Sequence, residues 1–176
     1  INEGTQEPFA VVVCDINNLK AVNDLYGHKE GDVCIRNACL RICRVFSHSP
    51  VFRIGGDEFV VILLGEDYSQ REMLMEQINE IPDNRSKIRI GETVAAGMME
   101  YEPHRHYSLS SVFEEADKAM YERKQRMKEA FSPKYEPPES DLRPQVIPAI
   151  NVRKTLLIAD DIEMNREILG DLLEED

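Results

Sequence analysis

The sequence predicts a globular chain of mixed α and β structure, and three patterns support this prediction. Residues 8–16 form an almost continuous apolar run that ends near Asp15, as expected for a buried strand with a carboxylate at its end. Apolar runs on both sides of residues 55–58, Gly-Gly-Asp-Glu, predict a β-hairpin. Apolar residues also recur at helical spacing, as in residues 31–46 and 110–128.

The remaining elements follow in chain order. Residues 17–26 suit a short helix broken at Gly27, residues 69–81 suit another helix, and residues 92–101 suit a strand. Ser110 is positioned to cap the helix that follows it. The inward side chains predicted for the helix over 69–81 are Met73, Ile78 and Ile81.

Composition changes after Phe131. Residues 132–148 are rich in proline and predict an extended linker. A strand over 155–159 and a helix over 163–174 follow. The predicted division is a main domain over 1–130, a proline-rich linker over 131–153 and the start of a second domain over 154–176.

Charge and composition exclude several classes of partner. The net charge of −12 argues against nucleic acid, because phosphate backbones require a basic surface. No apolar run reaches the 18 or more residues of a membrane span, and the start carries no signal-peptide pattern. The first residue is not Met, so we expect a piece of a longer protein. The four cysteines form no Cys-x-x-Cys motif and read as small hydrophobic residues, which fits a reducing cytoplasm.

The hairpin could carry chemistry. Its glycines would supply the positive φ of a tight turn, and without Cβ atoms they would leave room for a ligand. Asp57 and Glu58 would then offer carboxylates to Mg²⁺ and a nucleotide phosphate. The alternative is an ordinary turn, since Gly-Gly-Asp-Glu also suits a simple chain reversal.

A second set of polar residues lies between positions 15 and 32. Asp15 at a strand end could bind a metal ion, and the residues just after it, including Asn18 and Leu19, could offer backbone N–H groups to phosphate. Lys20 could neutralise phosphate charge.

Two further residues of this set could recognise a base. Asn23 and Asp32 have suitable chemistry, because a carboxylate can accept hydrogen bonds from the N1–H and amine of guanine. Each candidate also has an ordinary explanation. Such Asn and Asp residues are common at helix starts and turns, while Lys20 and His28 suit a solvated surface.

Taken together, these blocks resemble the GGDEF family, the diguanylate cyclases. Residues 15–32 match the pattern Asp-x-Asp-x-Phe-Lys-x-x-Asn-Asp-x-Tyr-Gly-His-x-x-Gly-Asp at nearly every fixed position. Residues 53–59 match Arg-x-Gly-Gly-Asp-Glu-Phe, and residues 116–124 are similar to a late helix of the family. The resemblance covers residues 8–130.

The resemblance implies an α+β fold of the nucleotidyl-cyclase type, with a palm-like (ferredoxin-like), antiparallel-rich central sheet flanked by helices. A C-terminal strand and helix would extend it. Two GTP molecules would condense to cyclic di-GMP and two pyrophosphates by Mg²⁺-assisted attack of a 3′-hydroxyl on an α-phosphate. Each domain of a homodimer would hold one GTP, with Mg²⁺ or Mn²⁺ as cofactor. The location would be cytoplasmic.

By matching position, the resemblance also assigns roles to single residues. Asp57 would bind metal and accept the proton of the 3′-hydroxyl, Glu58 would support the metal site, and Lys20 would stabilise charge on the phosphates. The metal ligands would be Asp15, the carbonyl of Ile16, and Asp57. Asn23 and Asp32 would bind guanine, and Lys124 would reach the phosphates. The full set of substrate-binding residues would be Asn18, Leu19, Asn23, His28, Asp32, Lys124 and Lys128.

Several positions depart from the family pattern. The usual segment Asp-x-Leu-Thr-Gly-Leu-x-Asn-Arg is missing, Asn17 and Leu19 replace Asp and Phe, and Met127-Lys128 replace Gly-Arg. Residues 46–49 read Phe-Ser-His-Ser in place of the inhibitory Arg-x-x-Asp, so product inhibition at that site is not expected. The alternative is therefore a catalytically inactive GGDEF domain that binds GTP or a protein. A purely structural domain is a third hypothesis.

The end of the chain resembles a second family. Residues 156–169 are similar to the first strand and helix of a response-regulator receiver, with Asp160 and Asp161 matching its acidic pair. About 22 residues are too few for a receiver core, so we expect a truncated fragment, packed on another surface, within a larger signalling protein.

Overall fold

The computed structural model describes residues 7–81, 93–106, 108–130 and 156–158. The elements in chain order are β1 (Ala10–Ile16), α1 (Leu19–Tyr26), α2 (His28–Val45), β2 (Val51–Arg53), β3 (Glu58–Leu63), α3 (Gly65–Ser69), α4 (Arg71–Ile78), β4 (Val94–Glu100), α5 (Leu109–Ala130) and β5 (Leu156–Ile158).

One sheet of five strands organises the described residues, in the order β4-β1-β3-β2-β5. The pairs β4–β1, β1–β3 and β3–β2 are all antiparallel. β1 lies between β4 and β3, and all seven of its residues are buried, which explains its nearly unbroken run of apolar residues. The predicted α+β class with an antiparallel-rich sheet flanked by helices is confirmed.

Alternate residues of the sheet feed two separate cores. Val12 and Cys14 face α1, α2 and α4, whereas Val11 and Val13 face α5. This alternation follows from the two-residue period of a strand. Burial raises the pKa of the Cys14 thiol far above its ordinary value, so Cys14 packs as a neutral hydrophobic side chain.

Helix α5 lies unusually close to β4 because of Gly97. A Cβ atom at Gly97 would lie 2.0 Å from the backbone nitrogen of Met120 and 2.5 Å from the carbonyl oxygen of Ala116. The absence of a side chain therefore sets the distance between this helix and the sheet. The helical spacing of apolar residues noted over 110–128 is confirmed, since Val112, Ala116, Met120 and Met127 of α5 are buried.

Asn79 ties α4 to both neighbours. Its side-chain oxygen accepts from the N–H of Ala96 at 3.0 Å, and its Nδ2 donates to the Ala96 carbonyl at 3.0 Å. Arg123 donates to the Asn79 carbonyl at 2.7 Å. One residue thus joins α4, β4 and α5.

Some predicted elements differ from the structure. The helix expected over 69–81 is two short helices, α3 and α4, and Met73 is exposed whereas Leu74 is buried. Ser110 does not cap α5, which begins at Leu109. Instead, the hydroxyl of Ser108 accepts from the N–H of Ser111 at 3.4 Å. The helix predicted over 31–46 begins earlier, at His28.

The C-terminal segment contributes β5, which pairs in parallel with β2. Val51 lies beside Leu156, and Arg53 lies beside Ile158. The strand predicted over 155–159 is therefore present, whereas the linker and the helix predicted over 163–174 lie outside the described residues. Within the described ranges, no helix is both long enough and apolar enough to cross a membrane.

Candidate functional site

The candidate site lies where β1 ends and β3 begins. Asp15 pairs directly with Glu58 across the two antiparallel strands, so both side chains project from the same face of the sheet. That face is the one covered by α5, because Asp15 continues the alternation of Val11 and Val13. The N–H of Ile16 donates to the carbonyl of Asp57 at 3.0 Å, which fixes the turn against the end of β1.

The turn between β2 and β3 is held by Arg53. Its Nε donates to the Gly55 carbonyl at 3.2 Å, and its Nη2 donates to the Gly56 carbonyl at 3.0 Å. The N–H of Ile54 donates to the Glu58 carbonyl at 3.1 Å. The hairpin is confirmed, but the positive φ expected for Gly55 and Gly56 is wrong, since among the described glycines only Gly27 and Gly65 have it.

The two glycines of the turn differ in their surroundings. A Cβ atom at Gly55 would lie 2.9 Å from Oε2 of Glu58, so this glycine gives the Glu58 carboxylate its room. A Cβ atom at Gly56 would meet nothing within 4 Å. Open space beside Gly56 fits the expectation that a ligand could approach the backbone there.

Lys124 of α5 places a positive charge beside these carboxylates. Its Nζ lies 2.5 Å from Oδ1 of Asp15, and the Asp15 side chain is only 7% exposed. Asp15 Oδ1 accepts no hydrogen bond of good geometry despite its burial, so the ammonium serves it as a charge partner. We define the carboxylate cluster as Asp15, Asp57 and Glu58.

Burial and mutual repulsion both act on this cluster. Burial raises the pKa of Asp15, and the charge of Asp57 raises it further, while Lys124 and Lys128 oppose the rise. Burial also raises the pKa of Glu58, followed by the charges of Asp57 and Asp15. Negative charges gathered at one strand end favour a cation between them.

The donor set suits Mg²⁺ or Mn²⁺ held jointly with a phosphate. Within the described residues, no three His, Cys, Asp or Glu side chains form a ready metal cage. Mg²⁺ is usually bound by one or two carboxylates together with substrate phosphates and water. Asp15, whose buried oxygen has a cation beside it, and the neighbouring Asp57 fit that pattern.

The connection from β1 to α1 places backbone groups at the same end of the sheet. Asn18 has φ 62°, and α1 begins at Leu19 without a side-chain cap. The first N–H groups of α1 therefore lack a capping side chain of their own, as a phosphate-binding helix start requires. Asn18 is exposed, whereas Leu19 is buried in the core, so only the Leu19 backbone is suited to contact a ligand.

The residues predicted to read a base lie on the α1–α2 pair. A Cβ atom at Gly31 would lie 1.9 Å from Oδ1 of Asn23, so the Asn23 side chain rests over Gly31, next to Asp32 in the chain. Asp32, His28 and Lys20 are exposed. In this part of the structure, no described hydrogen bond or ion pair joins Lys20, His28 or Asp32 to the carboxylate cluster.

Lys128 lies one turn beyond Lys124, in the last turn of α5, and is exposed. Its charge lowers the pKa of Asp15, which places it within electrostatic reach of the cluster. The structure thus brings together Asp15, Ile16, Asp57, Glu58, Lys124 and Lys128. It places Lys20, Asn23, His28 and Asp32 on the neighbouring helices.

Two contributors were missed from sequence. Arg53 shapes the turn, and its place directly before the Ile-Gly-Gly run was the available signal.

The second contributor is Asn17, which is buried. Its Nδ2 donates to Thr93 Oγ1 at 3.1 Å and lies 3.6 Å from the sulfur of Met127. Two of the departures from the family pattern, Asn17 and Met127, thus contact each other. Nothing in the sequence alone links positions 110 residues apart.

Comparison with known proteins places this geometry in a family. The family model described as "Diguanylate cyclase, GGDEF domain" matches residues 1–130. Diguanylate cyclase A of Treponema denticola is 30% identical over 126 residues, which cover 68% of this chain and 33% of that protein. Diguanylate cyclase DgcZ of Escherichia coli is 33% identical over 120 residues, covering 65% of this chain and 40% of the relative.

A third relative carries a different name. Cyclic di-GMP phosphodiesterase PdeR of Escherichia coli is 31% identical over 129 residues, covering 71% of this chain and 19% of that protein. This chain therefore spans well under half of the length of these curated relatives.

Solved structures agree with the family. The GGDEF domain of DgcB from Caulobacter crescentus, solved in complex with c-di-GMP, is 30% identical with a TM-score of 0.52, covering 68% of this chain and 74% of that one. The GGDEF domain of PA1120 from Pseudomonas aeruginosa is 26% identical with a TM-score of 0.54, covering 69% and 79%. The sheet, the Gly-Gly-Asp-Glu turn and these matches together establish that the chain belongs to the GGDEF, or diguanylate cyclase, domain family.

Proposed function

We propose that this chain is a diguanylate cyclase domain, which condenses two GTP molecules into cyclic di-GMP and two pyrophosphates. The observation that carries the proposal is the cross-strand pair of Asp15 and Glu58 beside Asp57, with Lys124 placed against Asp15. Such a cluster, fixed on strand ends, suits a reaction that depends on metal-bound phosphate oxygens. Relatives of about 30% identity that are named diguanylate cyclases support the same reaction.

The proposed metal ion is Mg²⁺ or Mn²⁺, held by Asp15, the carbonyl of Ile16, and Asp57. When bound, the ion would supply Lewis-acid stabilisation of charge on the phosphate oxygens. Glu58 would support the site from the opposite strand. The carboxylates at this strand end repel one another, and a bound divalent cation would offset that repulsion.

The residues of this chain would then bind and orient the triphosphate. Lys124 and Lys128 would approach the phosphates from α5 and Lys20 from α1, and the backbone N–H groups at Asn18 and Leu19 would add further contacts at the start of α1. Asp57 would accept the proton of the attacking 3′-hydroxyl. A carboxylate in a turn held by two Arg53 hydrogen bonds is well fixed for that task.

The base would lie against the α1–α2 pair. Asn23 and Asp32 would hydrogen-bond the edge of guanine, with His28 near the substrate. Asp32 can accept from both N1–H and the exocyclic amine, which distinguishes guanine from adenine. Asp32 and His28 are exposed and Asn23 is half-buried, which leaves the first two open to a ligand.

The reaction needs two loaded domains, so the proposed active species is a homodimer in which each domain holds one GTP. Apposition would bring the 3′-hydroxyl of one nucleotide to the α-phosphate of the other. We also propose that the domain works within a larger cytoplasmic signalling protein, with a receiver following it. The short share of each relative that this chain spans is compatible with such an arrangement.

The direct test is product formation. Purified protein at high concentration, supplied with GTP and Mg²⁺, should yield cyclic di-GMP by liquid chromatography and mass spectrometry, at a rate that rises steeply with protein concentration. Asp57→Asn should lower product formation by about 10³-fold, while Asp24→Asn, which alters an exposed carboxylate of α1, should not. If the full-length protein makes no product under these conditions, the proposal fails.

A second candidate is a GTP-binding domain without turnover. The relative named a cyclic di-GMP phosphodiesterase motivates it, because this chain matches part of a protein named for another activity. The departures at Asn17 and Lys128 point the same way. GTP binding by calorimetry, lost in Asp32→Ala and without any product, would favour this candidate.

A further inference from the structure

Lys124 occupies an unusual position for a phosphate ligand. Its Nζ lies 2.5 Å from Oδ1 of Asp15, the same carboxylate proposed to hold the metal ion. The Lys124 side chain is 21% exposed and that of Asp15 is 7% exposed, so water screens the pair poorly. The ammonium therefore acts where a divalent cation would be expected to act.

The surroundings of Asp15 explain why a cation is needed there. Glu58 lies directly across from it on β3, and like charges at directly opposed positions destabilise a sheet. The charge of Asp57 acts on both Asp15 and Glu58, and that of Asp117 acts on Glu58. Lys124 offsets this repulsion, helped by the more distant Lys128.

The position of Lys124 is set by packing and not by the ion pair alone. Met120 and Met127, on the same helix, are buried in the core, and Gly97 holds the helix close to β4. The Asn79–Arg123 hydrogen bond anchors the neighbouring residue. The stem of Lys124 therefore stays beside Asp15 even when its ammonium changes partner.

We propose that Lys124 is a built-in counter-cation of Asp15 and competes with the divalent ion for this carboxylate, so that the ion binds together with the nucleotide and not before it. This inference rests on the proposed function. A triphosphate would draw the Lys124 ammonium away and free the Asp15 oxygen for the metal. Without phosphate, metal binding would leave a half-buried ammonium next to a second cation, which is costly.

The competition predicts a coupling that can be measured. If nucleotide raises the affinity for the ion, the ion must raise the affinity for nucleotide by the same factor. Removing the lysine charge should weaken this coupling, because the Asp15 carboxylate is then available to the ion even without nucleotide. Lys124 would thus be a positioning residue for the metal as well as a phosphate ligand.

The experiment measures Mn²⁺ binding by electron paramagnetic resonance, with and without a non-hydrolysable GTP analogue. Without nucleotide, Lys124→Met should bind Mn²⁺ about tenfold more tightly than the unmodified protein, which is the change expected when about 1.4 kcal/mol of competition is removed. Lys124→Arg should keep the weak binding of the original. Lys118→Met removes an exposed lysine of the same helix and controls for net charge.

The outcomes separate this inference from the proposed function. Tighter nucleotide-free binding in Lys124→Met but not in Lys118→Met, together with a reduced effect of the analogue, supports the competition even if no cyclic di-GMP is ever formed. Equal Mn²⁺ affinity in the two variants overturns it. Absence of Mn²⁺ binding in every protein, with or without the analogue, also overturns it.

Discussion

The two ends of the candidate site are built differently. The carboxylate cluster lies on strand ends, where backbone pairing between β1 and β3 fixes Asp15 opposite Glu58 and Arg53 holds the turn. The residues proposed to read the base lie on helices α1 and α2, at what we call the base-reading end, and Asp32 is exposed to solvent. A reacting centre needs fixed geometry, while a base edge can be met by side chains that settle on binding. Substitutions should therefore damage the two ends in different ways.

The largest expected effect is at the carboxylate cluster. Asp57→Asn should lower kcat for cyclic di-GMP formation by about 10³-fold, the scale seen when one charge-stabilising group is removed from an active site. GTP binding without metal should change little. Steady-state kinetics together with calorimetry separate these quantities. A variant that kept kcat and lost GTP affinity would assign Asp57 to binding instead.

The next effect concerns the support beneath that end. Gly97→Ala should lower the free energy of unfolding by about 3 kcal/mol, because its Cβ would overlap backbone atoms of α5. Gly56→Ala, at a position with no atom within 4 Å of the added Cβ, is the matched control and should be nearly neutral in stability. Urea denaturation of both proteins measures the difference. Similar losses in the two variants would contradict the close packing of α5 on β4.

A smaller effect is expected at the base-reading end. Asp32→Ala should weaken GTP binding by about tenfold or somewhat more, the value of a hydrogen bond to a charged group, without changing affinity for ATP. The fold should stay intact, because Asp32 is exposed. Asp24→Ala, on α1, supplies the control. Equal losses for GTP and ATP would show that Asp32 does not read the base.

The smallest effect is a pH dependence of stability. Burial and neighbouring carboxylates raise the pKa of Glu58 above its ordinary 4.5, so the folded state holds this proton more tightly than the unfolded state. Ionised Glu58 therefore reduces stability, and the loss grows as pH rises through the raised folded pKa. In the presence of a chelator, Glu58→Gln should be slightly more stable than the original at pH 7 and indistinguishable near pH 4. Urea titrations at both pH values test the sign.

Much of the fold was predictable from local pattern. The buried run of β1 and the apolar flanks of residues 55–58 carry period-two or continuous apolar signals, which tertiary packing reinforces. The helix over 69–81 was less predictable because its apolar residues are compatible with more than one choice of buried helix face. Leu74 turned inward and the neighbouring Met73 outward, since α4 packs with its own phase after a break at Gln70.

The site was predictable in its residue types but not in its contacts. The carboxylates and lysines stand in recognisable blocks, yet the pairing of Asp15 with Lys124 joins residues 109 positions apart and depends on how closely α5 lies against the sheet. The glycine turn was misjudged for a similar reason. Hydrogen bonds from Arg53 shape it, so left-handed glycines are not required there.

The parallel pairing of β5 with β2 has a consequence for how a shortened version of this domain would associate in solution. Strand edges with unpaired N–H and C=O groups recruit other chains, and natural proteins cover them. Here residues 156–158 cover the strand that leads into the Gly-Gly-Asp-Glu turn. A version that ends at residue 130 would present that edge to its neighbours, and its oligomers in solution could arise from strand exchange instead of the apposition that catalysis requires.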